Sequence, residues 1–211
     1  PDIKYVIAQV NKEKWIITKQ AARKLEFLNA SVSIISEIDG SDLIGKSVFD
    51  ETRRQLVPMF PASFVDPNNG TGIVMSVPAH SPYDYQALVD LKKDDNILRK
   101  FAITVNIVPI KIIQTDAFPS NDSSPAESIV TRYSIRDQND PKLEEATNKL
   151  YSEEFHNGVL LPNIDQIGNL SVIKARETIR EKIINEEIGT TMYELKNVVK
   201  CRCGTPCVVK L

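Results

Sequence analysis

The junction between an apolar run and a helix start, within residues 70–85, constrains the fold of this 211-residue chain more than any other feature. Gly70-Thr-Gly72 opens a run that continues to Val77 and has the composition of a buried strand. Ser81-Pro-Tyr-Asp84 then supplies an N-cap serine, a proline at the first helical position and an acid in the first turn, which together predict a helix start. A strand that leads almost directly into a helix requires a fold that mixes both elements.

Strands and helices alternate irregularly along the rest of the chain. Strands are predicted where short apolar or β-branched runs lie between turn residues: Lys4 to Val10, Lys14 to Ile17, Val32 to Ile38 and Asn106 to Gln114. Helices are predicted where apolar residues recur at helical spacing: Lys19 to Leu28, Asp140 to Phe155 and Ser171 to Ile188. This order predicts an α/β domain with a mixed, β-barrel-like sheet core flanked by helices.

Charge and hydropathy limit the partners that the chain can have. With 26 basic and 28 acidic side chains the net charge is -2, so any contact with RNA has to be local. Four basic pairs are candidates, although each is also typical of a solvated surface: Arg23-Lys24, Arg53-Arg54, Lys92-Lys93 and Arg99-Lys100. The apolar runs fall short of the roughly 20 residues of a membrane span, and the N-terminus lacks a signal pattern, which predicts a cytoplasmic protein without membrane contact.

The sequence contains no recognisable nucleophile elbow, zinc-protease helix motif or phosphate-binding loop, and it has only two histidines. Three cysteines, Cys201, Cys203 and Cys207, lie close together near the C-terminus. Two interpretations stay open for them: a zinc site that needs a fourth ligand, or reduced cysteines in a turn between two strands. The spacing favours the second, so no metal and no cofactor are predicted.

The string Gly70-Thr-Gly-Ile-Val-Met-Ser-Val-Pro-Ala-His-Ser-Pro-Tyr-Asp-Tyr85 resembles the editing, or connective polypeptide, domain of leucyl-tRNA synthetases. Pro141-Lys-Leu-Glu-Glu-Ala-Thr147, Glu153-Glu-Phe-His-Asn-Gly-Val159 and Thr191-Met-Tyr-Glu194 resemble the archaeal and eukaryotic branch of that family. The resemblance covers nearly the whole chain. It implies the editing-domain fold that leucyl, isoleucyl and valyl enzymes share, over residues 1–199, and a return segment toward the synthetase catalytic domain over residues 200–211.

The resemblance implies post-transfer editing, which is hydrolysis of the ester bond in tRNA for leucine that carries isoleucine, valine, norvaline or a similar amino acid. The implied partners are the acceptor end of that tRNA and the remainder of the leucine–tRNA ligase, which binds ATP. A synthetic site separates side chains that differ by one methylene by only about 1–3 kcal/mol, and a second pocket that refuses leucine multiplies this discrimination.

The resemblance also assigns roles to residues at the junction. Asp84 matches the aspartate that anchors the α-ammonium group of the aminoacyl ester. The other residues that it places at the substrate are Met75, Ser76, Val77, His80, Ser81 and Tyr83. Taken alone, the position of Asp84 favours an acid that complements the helix dipole or completes a capping box. Ser81 stands where bacterial members often have a second aspartate, so the implied reaction uses water, backbone groups and a ribose hydroxyl instead of an acid pair.

Members of the family carry a threonine-rich block, T-x-R-P-E-T, ahead of the first hairpin, and this chain begins after it. In the family the block lines the opposite pocket wall and contacts the terminal adenosine, so we expect weak binding and slow hydrolysis by this chain alone. Two alternatives stay open: a tRNA-binding insertion without hydrolysis, and the editing domain of an isoleucyl or valyl enzyme. The sequence of residues 75–85 and of the C-terminal part favours a leucyl enzyme.

Overall fold

The structure is a computed structural model and describes residues 2–119, 124–195 and 198–211. Within these ranges the strands are β1 Lys4–Val10, β2 Glu13–Thr18, β3 Val32–Asp39, β4 Ser47–Asp50, β5 Gln55–Pro58, β6 Ile113–Gln114 and β7 Val159–Leu160. The helices are α1 Lys19–Phe27, α2 Pro82–Lys93, α3 Asp95–Lys100, α4 Pro125–Tyr133, α5 Lys142–Asn157 and α6 Val172–Asn185.

The N-terminal part is an antiparallel three-stranded sheet, in the order β2-β1-β3, with α1 packed on one face. The hairpin register runs from Tyr5 opposite Thr18 to Val10 opposite Glu13. Thr18 ends β2 and caps α1, because its hydroxyl accepts a hydrogen bond from the backbone N–H of Ala21. The core beneath α1 consists of Val6, Ala8, Val10, Ile17, Ala21, Ala22 and Leu25.

The rest of the core lies between helices. Helices α2, α4 and α5 pack against one another around Phe118, Ala126, Ile129, Ala146 and Leu150. A smaller cluster of Leu160, Ile167 and Ala175 holds α6 against β7. These contacts fix the N-terminus of α2, where the predicted site lies, against the inner face of α5.

The hairpin, the third strand and the helices predicted from Lys19, Asp140 and Ser171 are confirmed. Helix α4 was not predicted, although Ser124 caps it and Pro125 occupies its first turn, which is the same signal as at α2. The sequence predicts a solvated loop over Ser120 to Pro125, of which residues 120–123 lie outside the described residues and Pro125 belongs to α4. No helix in the described ranges is long and apolar enough to cross a membrane.

Two predicted strands are wrong. Residues 72–77 form an irregular segment without a strand partner in the described part of the chain, and the side chains of Met75 and Val77 are 63% and 47% exposed. Of the strand predicted over 106–114, only Ile113–Gln114 pairs, with β7. Apolar composition predicts burial only where another element covers the segment, and in the second segment the side chains of Val108 and Ile110 are 78% and 59% exposed.

The predicted barrel is also wrong, whereas the mixed α/β class is confirmed. The described residues form one three-stranded and two two-stranded sheets, and none of these is closed. A barrel requires each edge strand to pair with a neighbour. Strand β3 is an edge strand, and its Ile34 and Ile35 side chains are 52% and 53% exposed.

Candidate functional site

The segment that precedes α2 is fastened to the N-terminal sheet by three hydrogen bonds. The Thr18 backbone N–H donates to the carbonyl of Thr71 at 3.0 Å, and the Thr18 hydroxyl donates to the carbonyl of Pro67 at 2.9 Å. The Tyr5 hydroxyl donates to the carbonyl of Gly72 at 2.8 Å. The sheet therefore fixes where the exposed run after Gly72 begins.

Gly72 is required by this close approach. Its φ is +78°, and a Cβ at this position would lie 2.3 Å from the Thr18 Cγ2. Gly70 also has a positive φ, +51°, but a Cβ there would meet nothing within 4 Å. Substitutions at the two glycines therefore distinguish the cost of backbone strain, which both share, from the cost of steric conflict, which only Gly72 has.

We expect Gly72→Ala to lower the free energy of unfolding by about 2–5 kcal/mol, because the left-handed conformation and an overpacked contact both count against it. Gly70→Ala is the matched control and is expected to lower it by about 1–2 kcal/mol, from the backbone conformation alone. Urea unfolding of both variants measures the difference. Equal losses would contradict the close packing of Gly72 on Thr18.

A half-buried carboxylate of the C-terminal segment, Glu194, contacts the same loop at Gly70. Glu194 accepts a hydrogen bond from the Gly70 backbone N–H at 3.0 Å and pairs with the Lys24 Nζ at 2.5 Å. Lys24 also donates to the carbonyl of Asn68. Burial acts to raise the pKa of Glu194, but the hydrogen bonds from Lys24 and Gly70 outweigh it and hold the pKa below its usual value. Lys24, a predicted phosphate contact, is therefore engaged within the protein.

Asp84 lies in the first turn of α2 and is only 6% exposed. Its Oδ2 accepts a hydrogen bond of 2.6 Å from the Val77 backbone N–H, while the Ser81 hydroxyl caps the helix by accepting from the Asp84 N–H at 3.4 Å. Burial raises the pKa of Asp84, although hydrogen bonds from Val77, Ser81 and Ser76 oppose the increase. The carboxylate thus joins the exposed run to the helix that follows it.

His80 is buried and contacts protein groups on both ring nitrogens. Its Nε2 accepts a hydrogen bond from the Ile112 backbone N–H at 2.9 Å. A backbone N–H can only donate, so Nε2 carries no proton and Nδ1 carries one. The Nδ1–H therefore donates to the Glu154 Oε1, 2.6 Å away. His80 connects the start of α2 to α5 and to the segment before β6.

Glu154 belongs to this group and was not predicted as a site residue. Burial raises its pKa, although its hydrogen bond with His80 opposes the increase. The sequence contains a signal for it, because Glu154 continues the helical spacing of the buried residues Leu143, Thr147 and Leu150 on the inner face of α5. An acid in a core position of a helix requires a buried partner.

Tyr151, one turn before Glu154, was also missed. Burial raises the pKa of Tyr151, the carboxylates of Asp84 and Glu154 act in the same direction, and a hydrogen bond with the Ser81 hydroxyl opposes them. The side chain is 47% exposed. Tyr151 therefore places a phenol between the solvent and the cap of α2, a contact across 70 positions that no local pattern reveals.

The predicted site residues fall into three groups. Asp84 forms hydrogen bonds with Ser76, Val77 and Ser81. Met75 is exposed two residues before Val77. His80 points into the protein, toward Glu154. Tyr83 instead packs against Phe64 and lines a hollow of about 400 Å³ with Phe64, Gln138, Asn139, Asp140, Pro141 and Glu144.

The cysteines lie in a turn near the C-terminus, which the Cys201 N–H closes by donating to the carbonyl of Thr205 at 2.9 Å. The structure joins Cys201 and Cys203 in a disulfide and leaves Cys207 free and exposed. The turn is as predicted, but the prediction of reduced cysteines is wrong for this pair, whose Cα atoms lie 5.4 Å apart, within disulfide range. Among the described residues, no group of three or more His, Cys, Asp or Glu side chains is arranged to hold a metal ion.

The fold is shared with solved editing domains of leucyl-tRNA synthetases. GlLeuRS-CP1 superposes with a TM-score of 0.79 at 24% identity, over 93% of this chain and 76% of that one. The editing domain of the P. falciparum cytosolic leucyl-tRNA synthetase superposes with a TM-score of 0.80 at 18% identity, over 92% of this chain and 72% of that one. The class of fold is therefore that of a leucyl-tRNA synthetase editing domain.

The sequence is related to archaeal leucine–tRNA ligases. It is 42% identical to that of Methanothrix thermoacetophila in an alignment of 212 positions, which covers 100% of this chain and 22% of the ligase. It is 39% identical to that of Archaeoglobus fulgidus in an alignment of 213 positions, which covers 98% of this chain and 22% of the ligase. No protein-family model matches the chain. The chain belongs to the leucyl-tRNA synthetases, in the part that folds as the editing domain, and this confirms the resemblance seen in the sequence.

Proposed function

We propose that this chain hydrolyses the ester bond of tRNA for leucine that carries a wrong amino acid, as the editing part of a leucyl-tRNA synthetase. The observation that carries the proposal is the buried Asp84 carboxylate at the end of the exposed run 73–77. It occurs in a chain that matches leucine–tRNA ligases along its whole length. Those matches also favour leucine over the isoleucyl and valyl alternatives.

In this proposal Asp84 binds the α-ammonium group of the aminoacyl ester. A carboxylate can accept about four hydrogen bonds, so those from Val77, Ser81 and Ser76 leave capacity for one more from a ligand. An ionised carboxylate and an ammonium group form a charge-assisted hydrogen bond, which is about twice as strong as a neutral one. This bond holds the ester carbonyl in one orientation for attack by water.

The exposed side chains of Met75 and Val77 supply an apolar surface next to this anchor, and Ser76 lies between them. Such a surface suits isoleucine, valine or norvaline, and a pocket too small for leucine completes the discrimination. His80 and Ser81 act indirectly, since His80 holds the start of α2 against Glu154 of α5 and Ser81 caps the helix. Tyr83 contributes through the separate hollow that it lines.

Water is the proposed nucleophile, assisted by backbone groups and by a ribose hydroxyl of the terminal adenosine. The partners are the acceptor end of tRNA for leucine and the rest of the ligase, and the reaction uses no cofactor. We place the editing domain at residues 1–199 and the return toward the catalytic domain at 200–211, in a cytoplasmic protein.

The test is hydrolysis of isoleucyl- and leucyl-tRNA for leucine, by the chain itself and by the complete ligase that contains it. We expect the ligase to clear isoleucine and to spare leucine, and the chain alone to act more slowly. Absence of hydrolysis by a folded ligase that still charges its tRNA would refute the proposal. Equal hydrolysis of both substrates would refute the discrimination.

One observation favours a second candidate, a tRNA-binding insertion that does not hydrolyse the ester. The Asp84 carboxylate already has a structural contact with the Val77 N–H and lies in the first turn of a helix, where an acid is stabilising by itself. Binding of uncharged tRNA, measured alongside hydrolysis, separates the candidates. Binding with no hydrolysis of any misacylated tRNA supports the second.

A further inference from the structure

The hollow beside Tyr83 has the features of a base-binding site. Its volume is about 400 Å³, it is open to solvent, and Phe64 and Tyr83 form part of its wall. The centroids of these two rings are 5.6 Å apart, with planes inclined at 43°. Both side chains are half-buried, so each presents part of an aromatic surface to the hollow. Aromatic rings of this kind stack on unpaired bases.

Polar groups around the rings match the edge of a base. The side-chain Oε1 of Gln138 accepts from the Ser63 N–H at 2.8 Å, and the side-chain Oδ1 of Asn139 accepts from the Ser63 hydroxyl at 3.4 Å. Each side-chain amide keeps an NH2 group that can donate to a base. Asp140 and Glu144 add carboxylate acceptors.

The charges in the hollow favour a neutral base over a phosphate. Backbone hydrogen bonds from Lys142 and Arg136 lower the pKa of Asp140, so this carboxyl is ionised at neutral pH. Burial raises the pKa of the Tyr83 phenol, and the nearby Glu144 carboxylate raises it further. Two carboxylates in one hollow repel a phosphate group, whereas the amino group of a base can donate to either of them.

Tyr83 directly precedes Asp84 at the start of α2, so the hollow is next to the proposed anchor of the ester. We infer that the hollow binds an unpaired base of the tRNA acceptor end, that of the nucleotide preceding the esterified one. This inference rests on the proposed function. It assigns Phe64 and Tyr83 to stacking, and Gln138, Asn139 and Asp140 to the edge of the base.

The experiment uses the complete ligase and isoleucyl-tRNA for leucine, with or without the base of the penultimate nucleotide. Tyr83→Leu and Phe64→Leu are each expected to raise KM for hydrolysis about tenfold, because a stacking platform is lost. Tyr83→Phe keeps the ring and should restore most of the affinity. Phe49→Leu is the matched control, since Phe49 is 49% exposed, lies on the β4–β5 hairpin and is not among the residues that line the hollow.

Removal of the penultimate base should raise KM of the wild type by the same factor and leave that of Tyr83→Leu nearly unchanged, as expected for two partners in a double-mutant cycle. If instead removal of the terminal base raises KM of the wild type but not that of Tyr83→Leu, the hollow binds the terminal base and the inference is overturned. Equal sensitivity of wild type and variant to both removals also overturns it. Melting temperatures identify any variant that fails to fold, for which Asn139→Ala is the substitute.

Affinity for uncharged tRNA, with and without the same base, is measured in parallel. If the wild type fails to hydrolyse but loses affinity with the base removed, the proposed function fails and the base-binding hollow stands. If the wild type hydrolyses and neither KM nor affinity depends on the penultimate base, the hollow fails and the proposed function stands.

Discussion

Replacing Asp84 with asparagine is expected to reduce hydrolysis of isoleucyl-tRNA for leucine at least about a hundredfold while leaving the fold as stable as before. The asparagine amide oxygen can still accept the hydrogen bond from the Val77 N–H, but asparagine lacks the charge that pairs with a substrate ammonium group. Loss of orientation at the reacting ester costs about 10²-fold in rate. Single-turnover hydrolysis and thermal unfolding of the variant measure both effects.

The pH dependence of stability gives this prediction a second readout. Burial raises the pKa of Asp84, so the folded state binds the proton more tightly than the unfolded state. The shift contributes its whole stabilisation at pH values below the pKa of the unfolded state. This contribution is lost as the pH rises through the raised pKa of the folded state. Asp84→Asn does not titrate, so at neutral pH its free energy of unfolding should equal or exceed that of the wild type.

Asp95→Asn is the matched control for Asp84→Asn, because Asp95 is also an acid in the first turn of a helix but is exposed beside Arg99. It should leave hydrolysis unchanged. A loss of stability in Asp84→Asn that accounts for its loss of activity would show that Asp84 is a structural residue, and the anchor would have to be abandoned.

The elements that the sequence predicts correctly are those with local causes. The β1–β2 hairpin and helices α1, α5 and α6 follow from spacing, capping and turn residues within a few positions of one another. The missed helix α4 has the same local signal as α2, a serine cap followed by proline, so it was within reach of the sequence. The turn residues that precede it predict a loop instead.

The wrong predictions concern the burial of apolar segments and the closure of the sheet, and both depend on distant parts of the chain. The run 73–77 is as apolar as a core strand, yet Val74 and Met75 are 51% and 63% exposed because no described element packs on them. The barrel failed for the same reason, since β3 remains an edge. Whether an apolar segment is buried depends on its neighbours in space, which composition does not specify.

The candidate site shows the same division. Asp84 and Ser81 are singled out by the sequence because a local helix start and a family motif coincide at one place, and the structure confirms the helix start. The contact between Tyr151 and Ser81 and that between His80 and the Ile112 N–H join positions far apart in sequence. The packing of α2 against α5 brings these positions together, and through it His80 contacts Glu154.

Replacing Glu154 with leucine is expected to lower the free energy of unfolding by about 3 kcal/mol, whereas Glu154→Gln should change it by less than about 1 kcal/mol. Leucine leaves the buried Nδ1–H of His80 without the acceptor that it has at 2.6 Å. Glutamine keeps an oxygen for that proton and removes a charge whose burial is costly, as the raised pKa of Glu154 indicates. Urea unfolding of both variants measures the difference.

The control is Glu177→Ala, which breaks an exposed pair with Lys174 at 3.8 Å on α6 and should lower the free energy of unfolding by at most about 1 kcal/mol. The comparison of leucine with glutamine decides the protonation of His80. If His80 is neutral, as its acceptance of the Ile112 N–H requires, an uncharged acceptor at position 154 is sufficient. A glutamine variant as unstable as the leucine variant would mean that the contact is an ion pair with a protonated ring. His80 would then have to reorient away from Ile112, and the start of α2 would no longer be held by the geometry described above.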